Sequence, residues 1–236
     1  MKPFIDVHAH VLPGVDDGAA DWDESRRMLT CAYEQGIRTI IATPHYSHRQ
    51  DAGKLQEAAR QLDWEARAIA PDYNIFLGQE ILYFDSLVEK LKEGQALTMA
   101  GSRYVLTEFM PRISFSRLYQ AVRSLTVAGY YPIIAHVERY EALRGRNKME
   151  ELAGTGCYLQ MNYKSLEGSL LDGNARWCRR QVLEGRIHFL GTDAHRMDIR
   201  PPEIAKSLEW LKQHVTEDCI ADMTRENAVR IIGRKN

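Results

Sequence analysis

Seven short apolar runs, each followed by a helix-length amphipathic segment, constrain this chain more than any other feature. The runs are residues 4–8, 37–43, 75–80, 104–108, 132–136, 157–162 and 187–192. Helical spacing of apolar positions fills 23–35, 52–70, 84–93, 115–128, 146–154 and 173–184. Gly36, Gly129 and Gly185 stand where helix-terminating glycines belong, between a helical stretch and the next strand. Strands that alternate with helices in this way predict a parallel β/α architecture. The tail after Pro201-Pro202 predicts two or three further helices. At 236 residues the chain can form one barrel or two small domains. It contains no Ser/Gly linker, low-complexity tract or repeat, so residues 1–236 are read as one domain.

The strand ends carry the chemistry. His8-Ala9-His10 closes the first run, and on a strand the period of two sends both imidazoles to one side. His45 follows the second run directly after a proline that stops it. Glu80, Glu108 and His136 end the third, fourth and fifth runs, and the pair Asp193/His195 follows the seventh. A lone histidine or glutamate at such a place is usually structural, but six strand ends with metal-type ligands are a pattern. An open doubly wound sheet would gather a site at one switch point. Ligands on almost every strand instead fit a closed barrel, whose strand ends converge on one mouth. Imidazoles mixed with carboxylates, without thiolate, suit Mn²⁺, Fe²⁺ or Zn²⁺ better than Ca²⁺ or a structural zinc. Carboxylates that bridge two cations ~3.5–4 Å apart can clamp a phosphoryl group. His188, His214 and, at first reading, His48 are assigned structural roles.

Composition narrows the rest. Thirty-one Lys and Arg against thirty-two Asp and Glu give a net charge of −1, which offers nothing to nucleic acid or to anionic lipid. The four cysteines form no C-x-x-C pair, which argues against a zinc knuckle and for a reducing compartment. The polar start leads straight into the first strand, and no apolar run nears the ~20 residues that span a bilayer. A cytoplasmic protein without membrane insertion is expected.

Longer strings tie these residues to a known family. His8-Ala9-His10-Val11-Leu12-Pro13-Gly14-Val15-Asp16-Asp17-Gly18, Ala42-Thr43-Pro44-His45, Gly78-Gln79-Glu80-Ile81, Glu108-Phe109, His136-Val137-Glu138-Arg139-Tyr140 and Asp193-Ala194-His195 occur in family order. They resemble the PHP (polymerase and histidinol phosphatase) superfamily, and within it the manganese-dependent protein-tyrosine phosphatases of Gram-positive capsule and exopolysaccharide operons. The resemblance covers almost the whole chain. It implies a distorted (β/α)7 barrel of PHP type with three divalent metal ions, manganese foremost. By motif, His8, His10, Glu80 and Asp193 would hold the first ion. Glu80, Glu108 and His136 would hold the second, with Glu80 bridging, and Asp17, His45 and His195 the third. Asp16 rivals Asp17, with capping of the helix that starts near Asp21 as its alternative role. Two departures are visible: Val137 replaces the usual proline, and Met110 extends the usual Glu-Phe-Pro.

Arg139, three residues after His136, and Arg200, five after His195, are expected to bind the phosphoryl group, because a guanidinium can grip phosphate bidentately. The implied substrate is phosphotyrosine in protein, with the tyrosine-rich tail of a bacterial tyrosine kinase as partner. His48 or a water at the metals would protonate the departing tyrosinate. Cys219-x₅-Arg225 matches the spacing of cysteine-dependent tyrosine phosphatases. Its interior lacks glycine and it is flanked by acids, so it reads as a helix. Three rivals remain: a histidinol-phosphatase-type small-molecule phosphomonoesterase, a TIM-like amidohydrolase, and a non-enzymatic kinase adaptor. No strand end offers the bridging lysine that an amidohydrolase generally uses, and the filled ligand positions argue against the adaptor.

Overall fold

The computed structural model describes residues 3–169 and 171–233. Alternating elements follow one another along the chain: β1 (Phe4–Ala9), α1 (Trp22–Glu34), β2 (Ile37–Ala42), α2 (Ala52–Ile69), β3 (Asn74–Leu77), β4 (Glu80–Leu82), α3 (Leu87–Lys92), β5 (Tyr104–Glu108), α4 (Phe115–Val127), β6 (Tyr131–Ile134), α5 (Lys148–Ala153), β7 (Tyr158–Asn162), α6 (Gly173–Leu183) and β8 (Phe189–Gly191). The tail forms α7 (Ala205–His214), α8 (Glu217–Ala221), a π-helical turn and α9 (Asn227–Ile232).

The helices begin where their caps dictate. Asp21 Oδ1 accepts the Glu24 N–H at 2.8 Å and so caps α1, while Glu24 Oε2 accepts the N–H of Ala20, the residue before the cap, at 2.9 Å. Asp51, Ser114 and Asp172 cap α2, α4 and α6 through their side chains. Along α2 the buried positions Leu55, Ala59, Leu62 and Ala66 recur at helical spacing and lay one stripe on the sheet.

All paired strands are parallel, in the orders β1-β2-β3 and β4-β5-β6-β7-β8. Two single bridges join these sheets into a ring: Ala9 with Ala194, and His45 with Glu80. The strand expected over 75–80 is therefore one barrel stave broken in two. The break falls at Gly78-Gln79, where a Cβ on Gly78 would stand 2.7 Å from Met99 Sδ and 3.2 Å from its Cα. Gly78 N–H still pairs with Ala42 O, and Glu80 N–H has moved on to Pro44 O. Counting the broken stave once gives the seven of a distorted (β/α)7 barrel.

Strands β1, β2 and β5 are buried on both faces, as parallel strands between a barrel interior and a helical coat must be. Ile5, Val7, Ile41, Leu106, Ile133 and Phe189 fill the interior, and Ala228 and Ile231 of α9 close it. The register of β1 against β2 slips by one residue between Asp6 and Ala9. Such a bulge re-aims side chains, and here the neighbours Val7 and His8 both serve the interior, Val7 in the apolar floor and His8 in the polar mouth above it.

Candidate metal centre

The C-terminal ends of these strands bring the predicted ligands together. His8, His10, Glu80 and Asp193 form one group, His10, Asp17, His45 and His195 a second, and His45, Glu80 and Glu108 a third. Within the first group His8 Nε2 lies 3.3 Å from His10 Nε2, 3.1 Å from Glu80 Oε2 and 3.5 Å from Asp193 Oδ1. His10 Nε2 lies 3.2 Å and 3.6 Å from the same two oxygens. Four donors held tetrahedrally at about 2.0–2.2 Å from a cation are separated by roughly 3.3–3.6 Å, so these spacings are those of a coordination shell. Glu80 Oε2 and Asp193 Oδ1 are fully buried and accept no well-formed hydrogen bond. Buried carboxylate oxygens rarely stay unpaired, and these two face the space shared with both imidazoles. The donor set fits a divalent cation.

Glu80 reaches both sides of the cluster. Its Oε1 lies 2.7 Å from His136 Nε2, while its Oε2 faces His8, His10 and, at 3.3 Å, His45 Nδ1. His136 Nε2 also lies 3.7 Å from Glu108 Oε2, and His45 Nδ1 lies 3.4 Å from Glu108 Oε1. His45 turns its other nitrogen to Asp17 Oδ1 at 3.5 Å, the same distance that separates Asp17 Oδ1 from His195 Nε2. His45 thus stands between two groups, and the structure places it beside Glu80 and Glu108 as well as beside Asp17 and His195.

Geometry separates the two neighbouring acids. Asp16 Oδ2 accepts the Nδ1 proton of His10 at 2.7 Å and the His45 N–H at 2.8 Å, and its Oδ1 accepts the Gly18 N–H at 3.0 Å. It orients ligands from behind; Asp17 faces the cluster. Capping of α1 belongs to Asp21, not to Asp16. Gly18 is obligatory in this turn, since a Cβ there would stand 2.2 Å from His10 O.

Electrostatics shows how tightly the groups are pressed together. Burial opposes charge on His8, yet Glu80 and Asp193 outweigh it and push its pKa up to about 9. Burial likewise opposes charge on His45, and Glu108 and Glu80 push it up to about 9. Burial works against the Glu80 carboxylate, but His8, His10 and His136 hold it well below the usual carboxylate range. Without a cation, protons occupy its place.

Both predicted arginines converge on one oxygen. Asp193 Oδ2 accepts from Arg139 Nη2 at 2.5 Å, Arg200 Nη1 at 2.6 Å and Asn162 Nδ2 at 2.8 Å. Asp193 thus presents one oxygen to the imidazoles and the other to two guanidiniums. His48 sits outside all three ligand groups, exposed, with Nδ1 3.1 Å from the Tyr46 hydroxyl and its ring against Phe84. Cys219 lies exposed on α8 and Arg225 in the following π-helical turn, which is no phosphate loop.

Several supporting residues escaped the sequence reading. Strand β7 provides no ligand, but Gln160 Oε1 accepts the His136 N–H at 2.7 Å and lies 3.3 Å from His8 Nδ1. Gln160 Nε2 donates to Asn162 Oδ1, which completes a chain of amides to Asp193. Tyr140 sets its hydroxyl 3.4 Å from His136 Nδ1. Asp6 accepts from the N–H and hydroxyl of Thr192 and from the His8 N–H, which pins β1 to β8. Their signal was polar residues at a period of two inside otherwise apolar, doubly buried runs. His136 and Asp193 also adopt left-handed backbone, φ 34° and 51°; for residues with a side chain this costs about 1–3 kcal/mol and is concentrated at functional sites.

A closed parallel barrel with a buried imidazole–carboxylate cluster at its C-terminal mouth places the chain among barrel proteins built to bind metal. Residues 4–233 match the family model for capsular polysaccharide synthesis, CpsB/CapC, and the chain belongs to that family. It is 31% identical over 241 residues to the tyrosine-protein phosphatase CpsB of Streptococcus pneumoniae, covering 97% of this chain and 98% of that protein. It is 33% identical over 235 residues to the tyrosine-protein phosphatase YwqE of Bacillus subtilis, covering 95% and 90%. A chain from the crystal structures of those two proteins, described as unique metal-dependent tyrosine phosphatases, matches with a TM-score of 0.86 at 31% identity and covers 97% of this chain and 94% of that one. The phosphotriesterase homology protein of Escherichia coli shares the fold alone, with a TM-score of 0.63 at 14% identity.

Proposed function

We infer that this chain is a metal-dependent protein-tyrosine phosphatase acting in capsule or exopolysaccharide synthesis. Family membership gives the class, and the observation that carries the chemistry is Glu80, which turns one oxygen to His136 and the other to His8, His10 and His45. We propose three divalent cations, manganese foremost, held by His8, His10, Glu80 and Asp193; by Glu80, Glu108 and His136; and by Asp17, His45 and His195. When bound, such ions supply Lewis-acid stabilisation of phosphoryl oxygens and lower the pKa of water at the site.

The protein's own groups do the rest. Arg139 and Arg200 place two positive charges beside Asp193, at the edge where a phosphoryl group must meet the cluster. A guanidinium fork there binds phosphate oxygens and stabilises the charge that builds on them during in-line attack. Tyrosinate leaves with a conjugate acid of pKa near 10, so its proton is easily supplied, by His48 on the rim or by water. The physiological substrate we propose is the phosphorylated tyrosine-rich tail of a bacterial tyrosine kinase, in the cytoplasm. Among the described residues no helix is long and apolar enough to cross a membrane.

Two measurements on one sample test this reading: metal content, and turnover of a phosphotyrosine peptide against histidinol phosphate. Metal-dependent turnover that favours the peptide is expected. Preference for histidinol phosphate would move the protein to the small-molecule class, and full activity after exhaustive chelation would remove the metal mechanism.

A further inference from the structure

A second cationic site lies outside the barrel mouth. A cavity of about 360 Å³ opens between the loop that leads into α5 and the outer face of α6. Arg144, Arg146, Arg180 and Arg186 line it, with Glu150 and Trp177. In a chain of net charge −1 this concentration of guanidinium is not background. Arg186 pairs with Glu150 and Glu184, and Arg180 with Glu184, so those two are balanced. Arg144 and Arg146 have no carboxylate in ion-pair range among the described residues, and Arg146 makes no hydrogen bond there either.

Arg144 is preset rather than free. Its Nη2 donates to Glu138 O and to Asn174 Oδ1, and its guanidinium carbon lies 3.8 Å from the centre of the Trp177 ring. A guanidinium that is bonded on one edge and stacked on an indole loses little freedom when its remaining N–H groups bind an anion. The loop that carries it is short and anchored at both ends, by buried Leu143 and buried Met149. Asn147 turns that loop with a left-handed φ of 60°, a conformation asparagine tolerates. Glu138, whose carbonyl holds Arg144, immediately precedes Arg139 of the catalytic mouth.

We propose that this cavity binds a second phosphoryl group, on a phosphorylated tyrosine of the substrate chain other than the one being cleaved. The occupant rests on the phosphatase reading above. The chemistry of the cavity selects it: two guanidiniums with no carboxylate in ion-pair range complement a phosphoryl dianion, and one of them is held in place against the Trp177 indole. Engaging two phosphorylated residues of one chain makes the second contact intramolecular, which tightens binding without altering the chemical step.

The test compares peptides of one sequence carrying one or two phosphotyrosines, with wild type and Arg146→Glu. In wild type the doubly phosphorylated peptide should show a KM lower by about 10-fold at equal kcat. Arg146→Glu should erase that difference while leaving turnover of the singly phosphorylated peptide and of p-nitrophenyl phosphate unchanged. A second readout needs no turnover: phenylphosphonate, an aryl phosphoryl mimic whose P–C bond a phosphatase does not hydrolyse, titrated into the protein should change the Trp177 fluorescence, and the change should vanish in Arg146→Glu and in Trp177→Phe. Equal KM for both peptides in wild type, or an unaltered titration in Arg146→Glu, would overturn the proposal. Failure of the phosphatase reading looks different: no phosphotyrosine substrate would then turn over, while the Trp177 titration would still judge the cavity.

Discussion

The inner and outer halves of the proposed metal centre are built to opposite rules. His8, His10, Glu80 and Asp193 are at most 1% exposed, and further side chains hold His8, His10 and Asp193 from behind. Asp17 and His45 stand at the rim, with side chains 68% and 35% exposed, and among the described residues the Asp17 carboxylate has only the imidazoles of His45 and His195 in ion-pair range. Burying four ionisable groups without a countercharge costs several kcal/mol per group, so the inner half is stable only when something positive sits within it. The outer half has water as an alternative partner. The contrast predicts tight retention of inner cations and easy exchange of the outer one.

The most damaging way to break that contrast is Glu80→Gln. One substitution removes a carboxylate facing both halves, so metal content should fall at more than one site and turnover should drop below detection. Elemental analysis beside kinetics checks it, and wild-type metal content would remove Glu80 from the centre. Next come Arg139→Ala and Arg200→Ala. Loss of a preorganised charged donor costs about 10²–10³ in rate, and Arg→Lys should rescue poorly because it cannot reproduce the fork. Their bonds to Asp193 sharpen the reading. Turnover lost with metal retained assigns the arginines to phosphate; metal lost in step with turnover assigns them to holding Asp193.

Asp16→Asn separates orientation from ligation. Removing a carboxylate that fixes a ligating histidine lowers metal affinity by about 10–100-fold, visible by titration calorimetry. Asp17→Asn should instead lower the number of ions bound per chain, with the inner affinity unchanged. The pH response is gentler. In chelated protein His8 and His45 titrate near 9. Their folded values lie above the ordinary 6.5, so the stability they contribute is complete below that pH and is lost as pH rises through 9. The Tm of chelated protein should therefore fall between pH 7 and about 9. Metal binding moves the other way, gaining about tenfold per pH unit for each proton displaced, and loaded protein should not show that fall. The smallest effect belongs to Cys219→Ser, which should leave turnover unchanged. Complete loss of activity with metal retained would reinstate a cysteine nucleophile.

Much of this was legible in the chain because strand periodicity and strand-end chemistry are local. His8-Ala9-His10, Thr43-Pro44-His45 and Asp193-Ala194-His195 could be placed before any contact was known. What stayed hidden depends on pairing between distant strands. The break at Gly78 follows from Met99, twenty-one residues away in sequence. The bulge between Asp6 and Ala9 changes which neighbours face inward, and no alternation rule anticipates it. Gln160 and Asn162 read as polar residues of an ordinary strand until β6 and β8 bring His136 and Asp193 beside them. Asp16 and Asp17 could not be told apart by type, only by which imidazole nitrogen each one meets.

The two bridges that close the ring, Ala9 with Ala194 and His45 with Glu80, have a consequence for how the protein is made. One of them joins points 185 residues apart in the chain. Contacts of such long separation form late, because loop-closure entropy must be overcome before they reward it. On a ribosome the first histidines emerge long before Asp193 and His195. A nascent chain therefore has fragments of the cluster but no cage, so on the proposed reading metal capture would follow closure of the ring. A cation held as proposed would tie the first strand to the last, so amides at those seams should exchange with solvent more slowly in loaded than in stripped protein. On that reading the proposed reaction centre would also be the fastener of the barrel.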